Sequence, residues 1–462
     1  MRWNATRLEV LPYLLLLGWG GAADVVHAQT VDDAALVVET VATGLIQPTT
    51  MAFVGPDDIL VLQKANGQVR RIVNDVLMGA PVLDIDVNSQ SERGLLGIAV
   101  DPANGTDVFL YYTKADGFDG ASALSNSVYR YEWSAASGML ENPNLLIDLA
   151  ATGNSSHNGG ILLVDDQHLF VVIGDLGRNG QLANFPTGPP PDDTAVILRL
   201  LHDGSAAPGN PFAPYCSSTT GTTCTIDDDC PGAETCVIEV ASYWASGVRN
   251  SFGMAQDPVT GDLWNTENGP DTYDEINRVT AGANSGWERI MGPESRNIQG
   301  PNDLFDIPGA GSGYVDPVFS WFNTVAPTAI VFPNGSRLGR AYDDVALVGD
   351  NKNGRIYRFP LNEARTGFDL SGFPDLQDLV ADNSAEAELL GWGADFGIVT
   401  DLEIGPDGAL YVVSLTQGAI YRIRRVPEVP SLGPAGLGIL GLLLIATLRL
   451  ALRVGRSAAP RS

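Results

Sequence analysis

A histidine in a glycine-rich turn is the first place where this sequence could move a proton. The turn reads Gly153-Asn154-Ser155-Ser156-His157-Asn158-Gly159-Gly160 and leads into the apolar run Ile161-Leu162-Leu163-Val164. An imidazole with its ordinary pKa near ~6.5 accepts a proton at neutral pH. The alternative is a surface turn histidine. One hairpin further on lies Ile173-Gly174-Asp175-Leu176-Gly177-Arg178-Asn179-Gly180-Gln181. Its Arg178 and Gln181 suit an anionic or polyol ligand, or Asp175 and Arg178 simply pair with each other. Gly247-Val248-Arg249-Asn250 precedes another hairpin. An arginine offers five fixed donors and a permanent charge, suited to polarising a carbonyl or quinone oxygen. The run Glu267-Asn268-Gly269-Pro270-Asp271-Thr272-Tyr273-Asp274-Glu275-Ile276-Asn277 gathers hard oxygen donors of the kind Ca²⁺ prefers, without EF-hand spacing. There is no nucleotide fingerprint, serine nucleophile elbow or HExxH.

Loops of this kind need a frame that brings them to one place. The body is built from short apolar strands and glycine turns, without long amphipathic helix patterns. One unit recurs: an apolar pair, a turn, then an alternating strand. The first copy is Met51-Ala52-Phe53-Val54-Gly55-Pro56-Asp57, followed by Ile59-Leu60-Val61-Leu62 and Gly67-Gln68-Val69-Arg70-Arg71-Ile72. Further copies start near Leu95, Ile161, Phe252, Thr328 and Leu402. Period-two runs joined by turn residues are hairpins. Each hairpin alone leaves an apolar face and open edges, and radial packing of small sheets covers both. The expected fold is therefore all-β, a six-bladed β-propeller. A β-sandwich is the alternative. Loops at one end of the central channel would then carry the chemistry.

The remaining features bear on compartment and partners. Residues 1–28 carry Arg2 and Arg7, an apolar run from Leu11 to Trp19, and a small-residue exit, the order of a secretory signal peptide. Residues 426–462 hold a Pro-rich lead, an apolar run from Leu432 to Leu448, and a basic end. This fits either a short membrane anchor or a C-terminal sorting signal of the PEP-CTERM and IPTL-CTERM type, read by a sorting protease. The body between these ends, residues 29–425, is one propeller domain, and both readings place it outside the cytoplasm. The formal charge is −28 for the whole chain. Such a field repels polyanions, so nucleic acid is excluded as a partner. All four cysteines, Cys216, Cys224, Cys230 and Cys236, lie together in an insert at about residues 212–240. With an export signal they read as two disulfides, and three pairings are open.

In combination these motifs resemble the glucose/sorbosone dehydrogenase family. Its soluble members are six-bladed propeller enzymes that use pyrroloquinoline quinone (PQQ) and Ca²⁺. The likeness runs over about residues 40–425. It rests on Glu92-Arg93-Gly94-Leu95-Leu96-Gly97-Ile98-Ala99, the His157 turn, the run from Gly174 to Gln181, the Arg249 motif, and the run from Glu267 to Asn277 leading to Gly286-Trp287. The resemblance implies oxidation of an aldose at its anomeric carbon, with His157 as base and hydride passing to the quinone. It implies Arg249 and Asn250 at the reacting quinone edge, and Gly269 and Pro270 as carbonyl ligands of Ca²⁺. Gln181, Asp274, Glu92 and Lys352 would line the cofactor pocket. The implied partners are a small-molecule sugar and an unidentified electron acceptor. Four positions depart from the family pattern. Ile398 and Thr400 stand where two cofactor-binding arginines are expected, Glu92 where a glutamine is, and Ser156 where an aspartate precedes the histidine. Each missing arginine removes a charged contact of ~1.5–3 kcal/mol. A non-catalytic, calcium-stabilised binding propeller is the second expectation.

Overall fold

A strand with apolar residues at every position must be covered on both faces. Asp58–Gln63 carries such an unbroken run from Ile59 to Leu62 and Leu410–Ser414 one from Leu410 to Val413, and both strands are buried almost throughout. A computed structural model describes residues 28–426 except 152, 179–183, 185–190, 306 and 308–312. Among the described residues the strands form six sheets of four or more strands, with one two-stranded ribbon. The first strands of these sheets are Pro48–Gly55, Leu95–Val100, Leu162–Val164, Gly253–Gln256, Pro327–Val331 and Val399–Ile404. Each neighbours the next, and the last returns to the first, which closes a ring. The fold is an all-β propeller. These inner strands fall on the recurring unit of the sequence, copy for copy. The leader and the C-terminal tail expected from the sequence lie outside the described residues. Among the described residues no helix is long and apolar enough to cross a membrane.

Six apolar clusters fill the six gaps between neighbouring sheets. At the centre the strands come too close for side chains. A Cβ on Gly97 would lie 2.0 Å from the Gly160 carbonyl oxygen, and one on Gly253 1.8 Å from that of Thr328. Threonines stitch the ring across three other gaps. Thr50 Oγ1 donates to Leu96 O at 2.9 Å, Thr328 Oγ1 to Val399 O at 2.6 Å, and Thr400 Oγ1 to Pro48 O at 3.1 Å. Closure is by chain ends. Leu36–Ala42 pairs antiparallel with Ala419–Arg425 in one sheet, and Glu39 receives both Arg422 and Arg424.

The cysteines form the bridges Cys216–Cys230 and Cys224–Cys236. The insert is rooted in the core. Tyr215, Val237 and Val240 pack in the same cluster as Leu198 and Leu200. The ribbon of Tyr215–Cys216 and Cys236–Val237 ties its base.

Candidate active site at the channel mouth

Three of the loops that carry expected site residues enter inner strands. Glu92 precedes Leu95–Val100, His157 precedes Leu162–Val164, and Arg249 precedes Gly253–Gln256. At that end of the channel lies a cavity of ≈ 320 Å³ that reaches Glu92, Lys64, Phe252, Asn351, Ile398 and Thr400. Deeper in, a second space of ≈ 400 Å³ is lined by all six inner strands.

The histidine is held from both sides. Its Nδ1 lies 2.6 Å from Asp175 Oδ1. An ionised carboxylate only accepts, so Nδ1 carries a proton, and in the neutral ring Nε2 holds the lone pair. No described group pairs with Nε2. The backbone N–H of His157 donates to Glu92 Oε2 at 2.6 Å, and Asn250 Nδ2 donates to the same oxygen at 2.9 Å. His157 itself sits at φ +60°, in the left-handed region a non-glycine residue adopts only when its surroundings impose it. Asp175 is almost fully buried and is shared with two further donors. Trp287 Nε1 reaches Oδ2 at 2.8 Å, and the Gly177 N–H reaches Oδ1 at 2.8 Å. Burial pushes this carboxyl up, but the bonds from His157, Trp287 and Gly177 outweigh it and hold it below the usual carboxylate range.

Arg249 is fixed beside this pair. The Asp175 N–H donates to its carbonyl at 2.9 Å. Gly174 makes the junction possible, since a Cβ there would lie 2.5 Å from the carbonyl oxygens of both Arg249 and His157. The N–H of Arg249 donates to Glu267 Oε1 at 2.6 Å, and its Nη1 donates to Asn268 O at 2.7 Å. The guanidinium carbon stands 5.2 Å from the Trp287 ring centre. Burial lowers its pKa, opposed by the charges of Asp175, Glu267, Glu92 and Asp274. Its buried Nε has no partner among the described residues. An unspent donor on a buried cation is what an incoming oxygen would satisfy. Behind it Glu267 and Glu275 share Asn277 Nδ2; burial raises both carboxyls, with the charge of Glu275 adding to it at Glu267 and those of Asp316 and Asp274 at Glu275.

The oxygen-rich turn is preorganised too. Asp274 accepts Gly269 N–H at 2.9 Å and the N–H groups of Val325 and Ala326 at 2.6 Å. Burial raises its carboxyl above the usual range despite these bonds. Its oxygens are thus spent on backbone. Gly269 is buried and Pro270 exposed, and neither carbonyl accepts a hydrogen bond among the described residues. Both therefore remain available to a hard cation. Lys352 is exposed, and its Nζ donates to Thr324 O at 2.9 Å. Gln181 lies outside the described residues. The Arg178 side chain pairs with Asp192, and its backbone N–H closes the turn on Asp175 O at 3.1 Å.

The sequence reading missed the Asp175–His157 pair, the Trp287 bracket, the Glu267 anchor and Lys64. Asp175 and Trp287 sit inside quoted motifs, but no spacing rule shows that two hairpins meet. A flat tricarboxylate such as PQQ needs cations around a slot. Arg249, Lys352 and Lys64 supply cations, and Gly269 and Pro270 supply free carbonyls, so these residues fit such a group. The wall at Ile398 and Thr400 contributes no charge.

The pattern of the Glucose / Sorbosone dehydrogenase family matches residues 45–422. The chain is 25% identical over 390 residues to Aldose sugar dehydrogenase YliI of Escherichia coli, covering 82% of this chain and 90% of that one. It is 26% identical over 260 residues to Quinoprotein glucose dehydrogenase B of Acinetobacter calcoaceticus, covering 52% and 49%. Its fold is similar to the PQQ-bound Aldose Sugar Dehydrogenase of Streptomyces coelicolor, with TM-score 0.57, 24% identity, and coverage of 84% and 98%. The sequence match takes in all six inner strands, and on that ground the chain belongs to the glucose/sorbosone dehydrogenase family.

Proposed function

We propose that this protein oxidises an aldose at its anomeric carbon, using PQQ and Ca²⁺, and that its six ring sheets are the six blades of the propeller. The blade count is supported by six inner strands that neighbour one another in turn. The observation that carries the catalytic reading is a histidine whose Nδ1 is committed to Asp175 while Nε2 is free, beside an arginine with an unspent buried donor. Bound at this mouth, PQQ would supply the acceptor for the hydride that leaves the sugar.

The chain's own residues then have separate work. Nε2 of His157 takes the proton of the anomeric hydroxyl. Asp175 keeps the ring in the required tautomer and stabilises the imidazolium that forms. Arg249 stabilises negative charge that develops on an oxygen placed against its Nε. Glu92 positions His157 and Asn250 together. Gly269 and Pro270 offer their carbonyls to Ca²⁺, and Lys352 faces a carboxylate. Asp274 shapes the metal turn by holding its backbone. We place Gln181 in the same pocket on its motif alone.

We further place the protein outside the cytoplasm, supported by the leader-like residues 1–28 and by two disulfides in one insert. The tail past residue 426 would act as an anchor or a sorting signal. The electron acceptor is taken to be a separate partner.

The test is reconstitution. The purified chain is titrated with PQQ and Ca²⁺, and aldoses are screened with an artificial acceptor. Sugar-dependent reduction that requires both additions supports the reading. Absence of quinone uptake overturns it and leaves a binding propeller without redox work.

A further inference from the structure

Lysine is scarce in this chain, and one of its three lysines lines the cavity at the channel mouth: Lys64. It follows the strand Asp58–Gln63 and is half-buried. Its Nζ donates to two backbone carbonyls, Ser91 O at 2.7 Å and Ser89 O at 3.2 Å. An ammonium has three donors, so one is left over. Among the described residues no carboxylate lies within ion-pairing distance of it, although acids outnumber bases two to one along the chain. Burial lowers its pKa, with the charge of Glu92 opposing. Glu92 is the other charged residue of the lining, and its Oε2 is already occupied by His157 N–H and Asn250. The rest of the wall is neutral, with Leu96, Phe252, Ile398, Thr400 and Leu415.

A cation held in place by backbone carbonyls, without a counter-ion, in a half-enclosed apolar slot is a waiting anion site. We propose that Lys64 binds a carboxylate of the ligand that occupies this cavity. It thereby supplies, from the sheet of Pro48–Gly55, charge that the adjoining wall of Ile398 and Thr400 lacks. The two carbonyl contacts fix where the ammonium points, so little side-chain freedom is lost on binding. The ligand class is a planar polycarboxylate, anchored at Lys64 and extending toward Glu92 and the His157 cluster. This rests on the PQQ reading above and assigns it a residue.

The test measures binding rather than turnover. The purified full chain, Lys64→Gln and Lys64→Arg are titrated with PQQ and with its trimethyl ester, each with Ca²⁺, by quenching of protein fluorescence. Thermal melting establishes that each variant is folded. Lys64→Gln keeps a polar group for the Ser89 and Ser91 carbonyls. It is expected to weaken PQQ binding at least ~10-fold, the size of one charge-assisted hydrogen bond. It should leave the ester's affinity within ~3-fold, because an ester offers no charge to lose. Lys64→Arg should retain the preference for the acid over the ester. If Lys64→Gln binds PQQ as tightly as the parent chain, or loses acid and ester equally, the assignment of Lys64 is wrong while the cofactor reading stands. If the parent chain binds neither, both fall together.

Discussion

The two walls of the channel mouth are built on opposite plans. On one side six segments of the chain are cross-tied: Glu92 holds His157 and Asn250, Asp175 holds His157 and Trp287, and Glu267 holds Arg249. Buried carboxylates do the tying, and nearly every polar atom there is spent. On the other side Ile398, Thr400 and Leu415 present neutral surface, and the Thr400 hydroxyl is used on Pro48 O to hold the ring. The first wall can direct a proton and polarise an oxygen. The second can only shape a slot. Chemistry and retention of the ligand are therefore separable in this molecule, and substitutions should divide along the same line.

The largest effect should come from the tied wall. His157→Ala is expected to lower sugar-dependent dye reduction by ~10²–10⁴-fold, the usual worth of a general base, with PQQ affinity little changed. A variant that keeps more than a third of the parent rate would remove His157 from catalysis. Asp175→Asn comes next, at ~10–100-fold in rate, since a charged hydrogen bond of ~1.5–3 kcal/mol is lost. It carries a pH signature as well. A carboxyl depressed in the folded state stabilises above its unfolded pKa near ~3.9, and that stability disappears as pH falls through the folded value. Melting temperature should therefore drop less steeply in acid for Asp175→Asn than for the parent chain. Identical acid limbs would show that Asp175 is not coupled to folding in this way.

On the neutral wall the sign should reverse. Ile398→Arg adds a cation to the slot and is expected to tighten PQQ binding by ~10-fold, again one charged contact. Unchanged affinity would mean that this wall does not face the cofactor's carboxylates. The smallest effect at the site should come from the insert. Replacing Cys216 and Cys230 by Ser opens a 14-residue separation and should cost ~3 kcal/mol of stability, read by denaturant unfolding, with kcat and KM unaltered. A shift in KM would tie the insert to substrate binding.

How far this was readable beforehand differs between frame and site. The recurring unit marks the inner strands because each must be apolar and end in a turn, which is a local demand. Gly97 and Gly253 look like ordinary strand glycines until a Cβ placed on them is found to fall within 2.0 Å of a carbonyl oxygen of the next sheet. Closure of the ring by Leu36–Ala42 on Ala419–Arg425 spans the length of the domain, and nothing local announces it. At the site, His157, Arg249 and the turn around Gly269 stand out by residue type. The partner of His157 does not. Asp175 had a nearer arginine in sequence, and only the packing of two hairpins through Gly174 decides for the histidine. Lys64 gave no sign either, because its distinction is the lack of a counter-ion, a property of space and not of spacing.

The seam of the ring has a consequence for assembly and attachment. One sheet is shared between the beginning and the end of the described chain, with Leu36–Ala42 on its outer edge and Ala419–Arg425 next inward. During synthesis this last sheet stays incomplete until some four hundred residues have emerged, so the circle latches late. A permuted gene that opens the chain at another turn and joins the present ends should still produce the circle. Whatever continues beyond Val426 departs from the outer half of that sheet, at the rim. A tether there would hold the protein by its circumference, as a wheel is held by its tyre, and leave the axle free for traffic.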